Sequence, residues 1–242
     1  MNKEVRIFQT PYELADEFAA QIVKMIKGSA EKMPPFTIAL SGGTTPEILF
    51  KILGEKYVGT IPWNFIHLFW VDERCVPPEN SESNYGMTNR TLLNKIDIPS
   101  GNIHRIIGEA EPEKEADRYS AEICMNIEKR DGLPLFDLII LGLGEDGHTA
   151  SIFPGHLEYF ESDKICIVAS HPITGQKRIS ITGRVINNAK RIVFLVTGNK
   201  KRTIVEKMFK KDPESLNFPA AYIVPVYGSL SWFLDKEAAE GI

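Results

Sequence analysis

Cysteine is scarce and poorly placed for chemistry. The 242 residues hold three, Cys75, Cys124 and Cys166, far apart and in no CxxC or other metal-ligand spacing. Neither a disulfide framework nor a zinc site is therefore expected, and reduced, mostly buried thiols in a cytosolic protein are. Long apolar runs are lacking too. The N-terminus, MNKEVRIFQTPYELADEF, holds no stretch that reads as a signal peptide, and a run such as residues 138–143 is far too short to span a bilayer. A cytoplasmic location is the expectation. Basic residues are not in excess: 28 Lys+Arg stand against 32 Asp+Glu, a formal net charge of −4. That balance argues against a nucleic-acid partner or an anionic membrane surface, though not against an anionic small molecule held by a few local cations. With 18 Gly and 15 Pro, no repeat and no Ser/Gly linker, collagenous and low-complexity readings fail as well.

What remains is a chain with 43% hydrophobic residues, long enough to bury a sizeable core. Short apolar runs alternate with amphipathic segments. Residues 36–40, 65–71, 136–141 and 191–196 read as strands, continuous rather than alternating, as expected when both faces are buried. Residues 103–106, 165–169, 178–182 and 221–224 are lesser strand candidates. Residues 12–26, 46–53, 85–93, 112–129 and 200–209 read as helices. Strands alternating with helices imply an α/β fold with a mostly parallel sheet covered on both faces. One domain over residues 1–242 is expected, with room for a small lid subdomain.

Ligands of open parallel sheets bind where strand ends lead into loops, and four such loops carry unusual residues. Ser41-Gly42-Gly43-Thr44-Thr45-Pro46 follows the first strand. Its glycines permit a tight turn and close approach of a ligand to backbone N–H groups at a helix start, and its hydroxyls add donors, a combination that suits a phosphate monoester. An ordinary turn in which Thr44 or Thr45 caps the helix is the alternative. The second strand ends in Val71-Asp72-Glu73-Arg74, either a recognition and charge-stabilising group or a strand-end ion cluster.

The third loop, from Gly142 to Ser151, holds Gly142, Gly144 and Gly147, with Asp146 two residues before His148. Histidine exchanges a proton near neutral pH, and a neighbouring carboxylate orients its ring, so His148 is the best catalytic candidate. The fourth, Thr197-Gly198-Asn199-Lys200-Lys201-Arg202, starts a helix and carries three cations; with Lys177 and Arg178 it offers counter-charge for a phosphate. Lys200 and Arg202 alone read as a solvated helix start. His67 reads as a packed core histidine, and His104, His156 and His171 lack a carboxylate or cysteine at metal spacing. There is no HExxH, P-loop, GxGxxG or GxSxG pattern.

Taken together, SGGTTP, LFWVDERCVPPENSESNYGM, FDLIILGLGEDGHTASIFPG, RISITGRVINNAKRIVFLVTG and the following Lys201 resemble the 6-phosphogluconolactonase family in order and spacing over essentially the whole chain. The resemblance implies a Rossmann-like three-layer α/β domain that hydrolyses 6-phospho-D-glucono-1,5-lactone in the pentose phosphate pathway without metal or cofactor. It implies a sugar-phosphate lactone as the small-molecule partner, no nucleic acid or membrane, and a monomer or weak homo-oligomer. It implies that His148 is a general base, that Asp146 holds it, and that Arg74 stands near the reacting end. Ser41, Gly42, Gly43 and Thr44 would take the phosphate, with Arg178 and Lys201 neutralising it and Lys177 an alternative to Arg178. Asp72 and Gly144 would complete the substrate site. Cys75 stands where the family often has an apolar residue and is expected to pack. The related glucosamine-6-phosphate deaminases place a glutamate five residues after the histidine; here that residue is Phe153. A sugar-phosphate-binding effector module, the third reading, would want a helix-turn-helix and a basic face.

Overall fold

A computed structural model describes residues 3–29 and 35–242. The chain runs through β1 (Lys3–Phe8), α1 (Pro11–Ser29), β2 (Phe36–Leu40) and α2 (Thr44–Lys56), then β3 (Ile66–Trp70), β4 (Asp72–Arg74) and α3 (Asn84–Thr91). It continues through β5 (Ile103–His104), α4 (Pro112–Asn126), β6 (Lys129–Arg130), β7 (Leu133–Pro134) and β8 (Leu138–Leu141). β9 (Cys166–Ser170), β10 (Lys177–Ile181), α5 (Gly183–Asn187), β11 (Arg191–Val196), α6 (Arg202–Lys210), β12 (Ser229–Asp235) and α7 (Lys236–Ala239) complete it.

Seven strands form one sheet in the order β1-β12-β11-β8-β2-β3-β5, with every neighbouring pair parallel. The expected α/β fold with a mostly parallel sheet is present. The runs that read as continuous apolar strands are its centre: all five residues of β2 and all four of β8 are buried. β2 is the switch point. From it the chain moves outward through β3 to β5, then returns to β2's other side at β8 and proceeds through β11 to β12. The carboxyl ends of β2 and β8 therefore diverge into separate loops with a crevice between them, the place where such sheets bind ligands.

A second sheet, β4-β10-β9, is antiparallel. The Asp72–Arg74 stretch is one of its strands rather than a loop, and it pairs Arg74 with Arg178, Glu73 with Ile179 and Asp72 with Ser180. Of these charges, offered by the sequence either as a recognition group or as a strand-end ion cluster, Asp72 and Glu73 are buried. Glu73 accepts hydrogen bonds from the backbone N–H groups of Arg74 (2.8 Å), Asn84 (2.8 Å) and Tyr85 (2.7 Å) and from Ser83 Oγ (3.1 Å). It thereby ties the small sheet to the start of α3, whose first turn Ser83 caps through Gly86 N–H. Burial pushes the Glu73 carboxyl above the usual range, and those backbone donors oppose the shift.

Three expectations need correction. Residues 221–224 form no strand; Pro219–Tyr222 is a short 3-10 helix, and the chain leaves it towards Pro225 without a strand partner. β1 and β12 are strands that no long continuous apolar run announces. β1 is an edge strand with Val5 and Ile7 exposed, so its pattern is diluted, and β12 opens Ser-Leu-Ser before its buried Trp232-Phe233-Leu234. His67 is only half-buried; its ring stacks on that of His104 at 5.0 Å and bonds it at 2.9 Å, and His104 in turn donates to Glu122 at 2.6 Å. No described helix is long and apolar enough to cross a membrane.

Candidate active site

The crevice at the β2/β8 switch is a cavity of about 480 Å³. Ser41, Gly42, Gly43, Asp72, Arg74, Gly144, Asp146, His148, Arg178 and Lys201 all line it. Ten of the eleven expected site residues, drawn from four loops and two sheets, thus meet in one place. Thr44 is the exception: it is exposed at the first residue of α2 and outside the lining.

The glycine loop delivers backbone rather than hydroxyls. Ser41 Oγ donates to the Ile140 carbonyl of β8 at 2.7 Å, so its proton is spent on joining two strands. Gly43 caps α2 with φ +107°, a conformation that L side chains rarely adopt, and no side chain caps the helix. The alternative of a Thr44 or Thr45 cap is therefore not realised; Thr45 Oγ1 instead bonds Thr197 Oγ1 at 2.7 Å. Gly42 and Gly43 line the crevice and lead directly into the first turn of α2, whose leading N–H groups have no partner within the helix, an arrangement suited to an anion. A Cβ on Gly42 would lie 1.8 Å from Asn84 Oδ1, so only glycine lets the loop pass that side chain.

Asp146 and His148 form the only short carboxylate–imidazole pair in the cavity among the described residues. His148 Nδ1–H donates to Asp146 Oδ1 at 2.6 Å, and the same oxygen accepts His148 backbone N–H at 3.1 Å. Nε2 is thereby left as the basic nitrogen. Burial works against ionisation of Asp146, but the hydrogen bonds and charge of His148 outweigh it and bring the carboxyl down to about 2. Gly144 lies under this pair: a Cβ there would fall 2.1 Å from His148 Nδ1 and 2.5 Å from Asp146 Oδ1. The ring of His148 leans on Phe153, centroids 4.8 Å apart.

Three cations surround the space. Arg74 Nη1 donates to the Glu82 carbonyl at 2.5 Å. Arg178 is 9% exposed and its guanidinium sits 5.5 Å over the Phe153 ring. Among the described residues, the buried Nε atoms of both arginines have no hydrogen-bond partner. Burial lowers the proton affinity of Arg178, Asp72 opposes this, and Arg74 adds to it. Burial also lowers that of Lys201, with Glu145 and Asp146 opposing. Lys177 points elsewhere, to Glu113 at 3.2 Å, so of the adjacent pair only Arg178 reaches the cavity. Lys200 is exposed, and Arg202 pairs with Glu240 at 2.7 Å. Asp72 accepts from Ser151 Oγ at 2.6 Å, and Asn84 Nδ2 donates to its carbonyl at 2.9 Å.

Sequence reasoning missed Asn84 and His171, which also line the cavity. Asn84 follows from nothing but its place in the Ser-Asn-Tyr segment at the start of α3. His171 sits on the β9–β10 hairpin, and only the pairing of those strands brings it in. Among the described residues no cluster of three or more His, Cys, Asp or Glu could hold a metal ion. Cys75 packs against the core, and burial pushes its thiol up to about 11.

Comparison with known proteins agrees with the architecture. A 6-phosphogluconolactonase of Haemophilus influenzae is 42% identical over 232 residues, covering 96% of each chain. One of Aggregatibacter actinomycetemcomitans is 46% identical over 207 residues, 85% of this chain and 87% of that one. Among solved structures, 6-phosphogluconolactonase from Trypanosoma brucei superposes with a TM-score of 0.90 at 28% identity, covering 100% of this chain and 99% of that one. Residues 9–232 match the family described as glucosamine-6-phosphate isomerases/6-phosphogluconolactonase, and the chain belongs to that family.

Proposed function

We propose that the protein hydrolyses 6-phospho-D-glucono-1,5-lactone to 6-phosphogluconate, the lactone-opening step of the oxidative pentose phosphate pathway. The observation that carries this reading is the Asp146–His148 pair, placed in one cavity with Arg74, Arg178 and Lys201. The phosphate lies at Gly42, Gly43 and the start of α2, with Arg178 and Lys201 as its counter-charges. Asp72, held by Ser151 and Asn84, faces the sugar hydroxyls. This remote grip supplies binding energy that orients the lactone at the other end.

His148 Nε2 takes a proton from a water as its oxygen attacks the carbonyl carbon. Asp146 stabilises the imidazolium that results, and Arg74 stabilises the oxyanion of the tetrahedral intermediate. Collapse breaks the bond from the carbonyl carbon to the ring oxygen, which receives the proton back from His148. The acid formed ionises, releasing one proton per turnover. General-base help contributes ~10²–10⁴-fold and a positioned charge at the oxyanion a comparable factor, enough for an ester already activated by its ring. No step calls on a metal ion or a covalent enzyme intermediate.

Deamination of glucosamine 6-phosphate is disfavoured. The position five residues after His148 holds Phe153, buried between the His148 and His171 rings, where a proton-transferring carboxylate would be required. The test is proton release from freshly prepared 6-phosphogluconolactone, with ammonia release from glucosamine 6-phosphate measured in parallel. Acceleration of the first alone is expected; ammonia release, or no effect on the lactone, would overturn the reading.

A further inference from the structure

The β9–β10 hairpin presents a second imidazole to the cavity, and its hydrogen bonds define its chemical state. His171 Nδ1 accepts the backbone N–H groups of Ile173 and Thr174, both at 3.2 Å. A nitrogen that accepts carries no proton, so the neutral ring has its hydrogen on Nε2. Among the described residues Nε2 has no partner, and the residue lines the cavity. The ring is fixed from several sides. His171 N–H donates to Gln176 O and its own carbonyl accepts Gly175 N–H, each at 2.9 Å. Gln176 Nε2 is latched to Glu82 at 2.9 Å, and the Phe153 ring meets the imidazole edge-on at 5.2 Å.

We propose that His171 is a substrate-binding residue, a hydrogen-bond donor whose Nε2–H bonds an uncharged oxygen of the sugar and selects for the sugar rather than for the phosphate. This rests on the lactonase reading above. Three observations support it. Protonation at Nδ1 would break two backbone hydrogen bonds. Burial and the charges of Arg178, His148 and Arg74 hold the imidazole below its usual range, with Asp146 opposing. Finally, the Phe153 ring lies between His171 and His148, at 5.2 and 4.8 Å, so the donor shares a wall with the catalytic imidazole, while cations suited to a phosphate already exist in Arg178, which lies over that ring at 5.5 Å, and in Lys201. A neutral donor adds little to such cations at a dianion but matches a hydroxyl or ring oxygen.

The test compares His171→Phe, which keeps a planar ring without a donor, with His171→Gln, whose terminal amide restores one. Calorimetric titration with 6-phosphogluconate and with inorganic phosphate reads the two ends of the site separately, and thermal unfolding verifies that both variants fold. The Phe variant should bind 6-phosphogluconate about tenfold more weakly, bind inorganic phosphate as the wild type does, and be largely rescued by Gln. Wild-type affinity for 6-phosphogluconate in His171→Phe would overturn the assignment. So would an equal loss for inorganic phosphate, or a Gln variant no better than Phe. A wild-type protein that neither opens the lactone nor binds 6-phosphogluconate would instead overturn the lactonase reading.

Discussion

Asp146 Oδ1 grips His148 twice, through the ring Nδ1–H at 2.6 Å and through the backbone N–H at 3.1 Å. One oxygen thus sets both the tautomer of the imidazole and the turn that carries it. His148→Ala should lower kcat ~10²–10⁴-fold while leaving affinity for inorganic phosphate unchanged. Asp146→Asn, which removes the charge but keeps the shape, should lower kcat at least about tenfold and less than the alanine variant does. Steady-state proton release decides; a His148→Ala enzyme at the wild-type rate would show that another group is the base.

Glu73 should act as a brace rather than a ligand contact. Its carboxylate takes four donors, from Arg74, Ser83, Asn84 and Tyr85, and it is absent from the cavity lining. Glu73→Ala strands those donors in a buried setting, at a cost of roughly 3 kcal/mol or more. For a chain of this size that lowers Tm by roughly 6–12 °C. Because Arg74 and Asn84 flank the cavity, KM should rise as well. Differential scanning calorimetry measures the first effect and lactone kinetics the second; an unchanged Tm would refute the brace.

Lys201 gives the site an alkaline limit. Burial lowers its proton affinity, so the ammonium is lost as pH rises through a value below the usual lysine range of about 10.4. Affinity for 6-phosphogluconate should therefore be full below that value and fall above it, earlier than an ordinary lysine would allow. Lys201→Arg keeps its charge throughout and should move the fall to higher pH. Calorimetric titration at stepped pH, free of the lactone's own alkaline hydrolysis, reads both curves. Coincident profiles for the two proteins would remove Lys201 from the phosphate end.

The centre of the fold was legible because burial on both faces leaves a continuous signature. β2, β3, β8 and β11 each declare themselves as apolar runs, and each loop that follows β2, β3, β8 and β11 carries residues of the cavity. The edges were not. β1 exposes Val5 and Ile7, and residues 221–224 look like a strand only until one asks what would pair with them. Local composition also left Asp72–Arg74 unrecognised as a strand; its charges are compatible with one because Glu73 finds four donors, three from the cap and first turn of α3, ten to twelve residues away, and one from its own neighbour. Arg178 and Lys177 were indistinguishable by type; strand alternation turns one inward and the other to Glu113. His171 was invisible for the same reason, since its position depends on a hairpin that only the second sheet defines.

That second sheet has an electrostatic debt. β4 and β10 place Arg74 directly opposite Arg178, both turned into the cavity, and like charges in register weaken a strand pair. Asp72, two pairs further along and so on the same face, offsets part of this repulsion. An anionic ligand in the crevice would offset more of it, so cohesion of the small sheet and occupancy of the crevice are linked as a single equilibrium. The ligand, on this view, is a missing structural member of the protein that binds it.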